Sequence, residues 1–182
     1  MRNPTERDFN KDAVLSKCFE CLTEKGIEAA TVKEFSKATG MAASSIYYWF
    51  TDKDEIVLDA VEWGLDNNMK KLFNYAFNHT DNLEKLCEGI RELGKENQKQ
   101  FRLIFQVATS PQYGESVRGF SKKLDMQYHI YTEELTKKLD ISYEILFPFV
   151  NLFVSSFVDC VMWGDWDKFD METRSLMKMI GK

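Results

Sequence analysis

Apolar residues recur along most of this chain at spacings of three and four, which is the period of an amphipathic helix. The pattern is interrupted at glycines, prolines and clusters of small polar residues, and the segment from Ser110 to Gly114 is the clearest break in the second half. The helices expected from this pattern cover residues 10–25, 31–39, 42–48, 53–77, 82–95, 96–109, 115–139, 142–163 and 171–180. The sequence therefore predicts an all-α protein.

The segment 31–53 predicts two short helices around a tight turn. Thr31 and Glu34 have the spacing of a capping box, in which the threonine hydroxyl accepts from the third helical amide while the glutamate reaches back to the threonine amide. Gly40 supplies a left-handed stop, and the next helix begins almost at once, because residues 42–48 contain no glycine or proline. Two short helices around such a turn are the form in which proteins lay one helix in a DNA major groove.

This part of the chain resembles the TetR, or tetracycline-repressor-like, family of transcriptional regulators. The resemblance runs from Ala13 to about Val61, and it is carried in order by Leu22-Thr23-Glu24-Lys25-Gly26, Thr31-Val32-Lys33-Glu34-Phe35, Ala38-Thr39-Gly40-Met41, Ser45-Ile46-Tyr47-Tyr48-Trp49-Phe50 and Asp52-Lys53-Asp54-Glu55-Ile56. It implies a three-helix helix-turn-helix DNA-binding domain over 1–52 and a larger helical ligand-binding and dimerisation domain over 53–182. The implied function is that of a repressor which a small molecule releases from a palindromic operator in double-stranded DNA.

The resemblance also implies which residues contact DNA. The family binds phosphates through a threonine opening the second helix, a tyrosine late in the third and a lysine opening the fourth, which match Thr31, Tyr47 and Lys53. Base readout comes from the exposed face of the third helix, which here offers Ala42, Ala43, Ser44, Ser45 and Tyr48. The two alanines replace the usual serine cap and a basic residue, and loss of the cap costs roughly 1 kcal/mol. The alternative for Tyr47 and Tyr48 is core packing, which is the expectation for Phe50.

Net charge is the feature of the sequence that argues least for DNA binding. The chain has 24 basic and 29 acidic residues and a net charge of -5 at pH 7, whereas DNA-binding domains usually carry a basic footprint. Binding must then rely on cations placed locally, for which the candidates are Arg2, Arg7, Lys11, Lys33, Lys37 and Lys53. The acidic balance leaves one alternative open, a helical adaptor that acts through protein contacts without binding DNA.

The second half is rich in aromatic and methionine side chains, which are typical of cavities for apolar or aromatic ligands. The helix 53–77, opened by a second capping box at Asp52 to Glu55, would link this half to the first. The family resemblance implies an effector cavity among the middle helices, and the residues expected near it are Trp63, Phe105, Tyr128 and Trp163. The alternative for each of these residues is that it fills a core.

The helix 142–163 is apolar nearly all round, which predicts burial on more than one side. The family resemblance implies that the last two long helices form a four-helix bundle with a second subunit, and the residues expected at that seam are Phe149, Phe153, Phe157 and Val161. Asn151, Ser155 and Asp159 align on one face. Asp159 is either a pocket carboxylate that would favour a cationic ligand or a structural residue with its own partner.

Several other classes of protein are disfavoured. The apolar stretch 145–163 is interrupted by polar residues, which favours a buried helix over a membrane span. The N-terminus shows no apolar leader, so the cytoplasm is the expected compartment. Cys18 and Cys21 form a Cys-x-x-Cys within an amphipathic helix and are expected to be core thiols, with a zinc or redox site as the alternative. With two histidines and no catalytic constellation in the chain, we expect no enzyme activity, no metal site and no cofactor.

Overall fold

The computed structural model describes residues 10–80 and 82–179, and every regular element within these ranges is a helix. In chain order the helices are α1 Lys11–Lys25, α2 Val32–Thr39, α3 Ala43–Trp49, α4 Lys53–Asn78, α5 Leu83–Glu96, α6 Gln98–Thr109, α7 Gly114–Leu139, α8 Tyr143–Trp163 and α9 Trp166–Met179. The prediction of an all-α protein is confirmed.

The last helix differs most from its prediction, because it begins at Trp166 and not at residue 171. Gly164 ends α8 in the left-handed conformation, with φ of 79°. Asp165 follows directly, and its carboxylate accepts a hydrogen bond of 3.0 Å from the Lys168 amide, which satisfies one of the free donors of a new helix. A capping residue directly after a helix-ending glycine therefore marks the start of this helix. The prediction from apolar spacing alone did not take this local signal into account.

Packing divides the chain into two compact units. Of the described residues, one unit contains 10–67 and 103–117, and the other contains 68–80, 82–102 and 118–179. Helices α4, α6 and α7 each contribute residues to both units. The assignment of DNA binding to 1–52 and of ligand binding to 53–182 stays a prediction about function.

In the first unit, α1 provides a buried face that includes two of the four cysteines. Cys18 and Cys21 are both buried, and burial raises the pKa of the Cys18 thiol to about 12. Thiolate is the reactive form of cysteine, so Cys18 in this setting behaves as a small apolar core residue. The interpretation as core thiols fits the structure.

The core of the second unit includes residues that were expected at a subunit interface. Phe157 and Val161 are buried within their own chain, and the Phe157 ring packs edge-on against Phe101 at 5.3 Å and Phe169 at 6.2 Å between centroids. The prediction that Phe157 and Val161 form the dimer seam is therefore wrong. Helical periodicity gave their common face correctly, but on that face Phe101 of α6 and Phe169 of α9 pack against Phe157.

The opposite face of α8 is left exposed. Ile145 and Leu152 are 56% and 51% exposed, and the polar side chains of Asn151 and Ser155 bond to carbonyls of their own helix. By length and composition α8 is the one helix in the described ranges that could span a membrane, with 28% of its apolar window buried. The predicted burial on more than one side is therefore not provided by the chain itself on this face.

We expect Gly40→Ala to destabilise the protein by about 1 to 2 kcal/mol, because Gly40 has φ of 71° and an L-residue is strained there. The matched control is Gly119→Ala within α7, since a β-carbon meets no atom within 4 Å at either position. In a helix interior the same change stabilises by roughly 0.5 to 1 kcal/mol. Urea unfolding measures the change in the free energy of unfolding for both variants. Equal changes in the two variants would exclude backbone strain at Gly40.

Candidate DNA-binding surface

The turn between α2 and α3 is fixed by short-range hydrogen bonds. Thr31 caps α2, with its hydroxyl oxygen accepting from the Glu34 amide at 3.3 Å. At the other end the Thr39 hydroxyl donates to the Phe35 carbonyl at 2.8 Å, and Gly40 adopts the predicted left-handed conformation. These contacts end α2 sharply and allow α3 to begin after only three residues.

Two buried side chains fix the orientation of α3. Ile46 has no exposed surface, and Phe50, which follows the helix, is 2% exposed. Tyr47 and Tyr48 on the remaining surface are 56% and 72% exposed, so the core-packing alternative is wrong for both tyrosines and the expectation for Phe50 is confirmed. Ala42 makes no side-chain cap bond, as the sequence indicated. The helix is therefore held by one face and presents the other to solvent.

The start of α4 carries the second capping arrangement. The Asp52 carboxylate accepts from the Glu55 amide at 2.9 Å, and the Glu55 carboxylate accepts from the Thr51 amide and hydroxyl at 2.6 and 2.7 Å. These two hydrogen bonds lower the pKa of Glu55. Lys53 is the first residue of α4, and its ammonium group donates to the Glu28 carbonyl at 3.4 Å, so its position is set at the helix terminus.

Two of the cations proposed to reach DNA, Lys11 and Lys37, form ion pairs. The Glu34 carboxylate contacts the ammonium groups of Lys25 and Lys37, each at 2.9 Å, in place of the predicted return to the Thr31 amide. Hydrogen bonds from these two lysines lower the pKa of Glu34 to about 2. Lys11 pairs with Asp59 at 3.0 Å.

Two of the remaining cations are better placed. Within the described ranges, Lys33 and Lys53 have no acidic partner within ion-pair distance. Lys33 is exposed on α2, and Lys53 lies at the start of α4. Arg2 and Arg7 lie outside the described residues. Among the described residues of this part of the molecule, the cations without an acidic partner are therefore these two lysines.

The sequence interpretation missed a contact that fixes the first turn of α4. The Asp54 carboxylate accepts from the Tyr113 hydroxyl at 2.8 Å and from the Gln112 side-chain amide at 3.0 Å. Tyr113 is buried, and burial together with the hydrogen bond to Asp54 raises its pKa to about 12. The segment 110–113 was identified only as a break between helices, and nothing local indicated a partner nearly sixty residues away.

The residues proposed for an effector pocket lie in both units. In the first, the Trp63 ring packs edge-on against Phe19 at 6.1 Å, and Phe105 lies half-buried in α6. In the second, the Tyr128 ring meets Phe73 at 5.4 Å, and burial raises the pKa of Tyr128 to about 12. Whether these three aromatic residues contact one ligand stays a prediction.

The other two proposed pocket residues have different surroundings. Asp159 forms an ion pair with Lys168, which supports the structural alternative for this carboxylate. Trp163 is 78% exposed at the end of α8, so its prediction as a pocket residue of its own chain is wrong. The last turn of α8 directs this side chain toward solvent, and the apolar character of the residue did not reveal that direction.

Comparisons with known proteins agree with this geometry. Residues 14–60 match the family model described as bacterial regulatory proteins, tetR family. IcaR of Staphylococcus epidermidis, the HTH-type negative transcriptional regulator of the biofilm operon icaADBC, is 23% identical over 155 residues, which cover 78% of this chain and 77% of IcaR. YfiR of Bacillus subtilis, an uncharacterized HTH-type transcriptional regulator, is 25% identical over 93 residues, covering 48% of this chain and 45% of YfiR.

A solved structure shows the same fold. The crystal structure of the transcriptional regulator FadR from Bacillus subtilis in complex with stearoyl-CoA superposes with a TM-score of 0.55 at 13% identity, covering 93% of this chain and 97% of FadR. The fold and the helix-turn-helix together define a DNA-binding transcriptional regulator. Residues 14–60 carry the match to the tetR family, and regulators of that family bind DNA operators and small-molecule effectors and act as dimers.

We expect Glu34→Gln to lower the free energy of unfolding at pH 7. The difference in this free energy between the variant and the wild type should become smaller as the pH falls. The folded-state pKa of Glu34 is about 2 against an ordinary value of 4.5, so its contribution is complete above pH 4.5 and is lost as the pH falls toward 2. Urea midpoints at pH 7 and pH 3 measure the change. The control is Glu24→Gln, which changes an exposed glutamate of α1. If the midpoints of Glu34→Gln and the wild type differed by the same amount at both pH values, the role of the two lysine pairs would be contradicted.

Proposed function

We propose that the protein is a homodimeric repressor that leaves its operator when a small molecule binds. The observation that carries the proposal is a recognition helix, α3, held by buried Ile46 and exposing its other face beside Lys53 at the start of α4. The description of IcaR as a negative regulator supports repression, and the acyl-CoA ligand in the FadR structure supports an apolar effector. Since it acts on DNA, we expect it to work in the cytoplasm.

The proposed DNA contacts divide into two groups. Thr31, Lys33, Tyr47 and Lys53 bind phosphates. The Thr31 hydroxyl oxygen accepts from the Glu34 amide, so its hydrogen stays free to donate to a phosphate oxygen. Ser44, Ser45 and Tyr48 face the bases from the N-terminal and outer positions of α3, where a recognition helix reads base edges.

The proposed dimer uses the exposed face of α8. Ile145 and Leu152 lie on that face, and Phe149 and Phe153 beside it are half-buried. An apolar helix face that its own chain leaves open is the typical surface for a second copy. Two-fold symmetry would place two α3 helices on successive turns of the major groove, which requires a palindromic operator.

The effector acts in this scheme by selecting one spacing of the two recognition helices. The proposed ligand binds more tightly, by about 1 to 3 kcal/mol, to the dimer conformation whose helix spacing does not fit the operator. Such a ligand shifts the population of dimers away from the DNA-bound form. Trp63, Phe105 and Tyr128 remain the proposed ligand contacts. The helix α4 is the proposed element of transmission, because one continuous helix contains both Lys53 and residues of the second unit.

The test of the function is selection of random duplex DNA by the purified protein at low and moderate salt. We expect enrichment of a palindromic site whose two halves are about one helical turn apart. Binding should also weaken steeply with added salt, because phosphate contacts release counterions. Failure to enrich any sequence at either salt concentration would contradict the proposal and favour the adaptor alternative, in which an apolar protein contact resists salt.

With the selected site in hand, we expect Lys53→Ala to weaken binding to all sequences about equally. Loss of one phosphate contact should also lower the slope of log K against log salt by about 1. The control is Lys99→Ala, an exposed lysine of α6 in the other unit, which should leave both quantities unchanged. An unchanged slope in Lys53→Ala would remove this lysine from the phosphate contacts.

A further inference from the structure

We infer that α3 selects its operator by contacts with thymine methyl groups, and that it makes no bidentate major-groove contact with guanine. This inference rests on the proposed operator binding and specifies which base pairs the recognition helix can read. It follows from the chemistry of the side chains that the helix exposes.

The recognition helix lacks every side chain that makes a strong polar base contact. From its cap to the residue after it, the sequence is Ala-Ala-Ser-Ser-Ile-Tyr-Tyr-Trp-Phe over residues 42–50. Guanine is read chiefly by arginine or lysine, adenine by asparagine or glutamine, and cytosine by acidic side chains. None of these residue types occurs in the segment, so bidentate readout from α3 is excluded by composition.

The exposed groups that remain are methyls and hydroxyls. Ala42, Ala43 and Ser44 are exposed at the N-terminal end of α3, the end that approaches base edges in helix-turn-helix complexes. An alanine methyl packs against the thymine C5-methyl group, and a serine hydroxyl bonds to either member of a base pair. Among the four bases, only thymine presents an apolar group to such a surface.

Neighbouring cations lie outside α3, and the two without an acidic partner among the described residues, Lys33 on α2 and Lys53 on α4, are the proposed phosphate contacts. Lys25 and Lys37 are held by the Glu34 carboxylate, and Lys11 is held by Asp59. Each of these lysines also lies on α1 or α2, outside the recognition helix. The base pairs that α3 reads directly are therefore expected to be A·T pairs with their thymine methyl groups facing the alanines.

The test uses base analogues in the selected operator. Replacing thymine by deoxyuridine removes only the C5-methyl group, and replacing guanine by 7-deazaguanine removes the major-groove acceptor N7. We expect deoxyuridine at one or two positions of each half-site to weaken binding about fourfold per methyl. One such substitution in each half-site should together weaken binding about fifteenfold, whereas 7-deazaguanine should weaken binding less than deoxyuridine does.

A variant then assigns the contact to α3. In Ala42→Gly or Ala43→Gly, replacing thymine by deoxyuridine at one position of the half-site should no longer weaken binding, because the alanine methyl that contacts the thymine methyl is absent. Helix content and the thermal midpoint establish that each variant is folded. The matched control, Gly119→Ala in α7, should keep the full deoxyuridine penalty.

Each result has a distinct meaning. A selected site at which 7-deazaguanine weakens binding more than deoxyuridine does would overturn this inference and leave the proposed function intact. Full deoxyuridine penalties in both glycine variants would overturn it too, since another element would then read the methyl groups. Recovery of no site would instead contradict operator binding itself, so the two failures are distinguishable.

Discussion

Burial of a few side chains around α3 is the constraint on which the function of this protein depends. A helix of seven residues is too short to be stable by itself in water. Its geometry comes from Ile46 and Phe50, which are both buried, and from Phe35 on the preceding helix, which has no exposed surface. The exposed tyrosines are thus presented to solvent by packing on the opposite face, and a loss of that packing would remove the proposed DNA-binding surface together with the helix.

The start of α4 is held by a second set of contacts. Thr51 and Asp52 exchange hydrogen bonds with Glu55, and Asp54 is bound by Tyr113 from the segment that connects α6 and α7. Hydrogen bonds to a charged acceptor contribute more than neutral ones, so the Tyr113 contact is a strong restraint on this turn. Because Lys53 precedes Asp54 directly, the same restraint fixes the base of its side chain.

Local patterns in the sequence predicted most of the helices and the helix-turn-helix. Thr31, Gly40 and Asp52 each act through neighbours within a few residues, and such effects can be read from spacing. The errors concern contacts between distant parts of the chain. Periodicity placed Phe157 and Val161 on one face of α8, but only packing shows that both are buried in their own chain and that Phe157 meets rings of α6 and α9. The pairing of Asp159 with Lys168 and of Asp54 with Tyr113 likewise depends on how helices pack, which one sequence does not reveal.

The placement of charge is consistent with a regulator that binds DNA in spite of a net charge of -5. Sequence-independent affinity grows with the number of phosphates that a protein neutralises. Here Glu34 engages Lys25 and Lys37, which leaves few cations for the backbone. Weak phosphate binding lowers the affinity for all DNA alike, whereas base contacts contribute only at the matching site. A recognition helix without charge and a sparse set of phosphate contacts would therefore favour discrimination between sites over tight binding to any one of them.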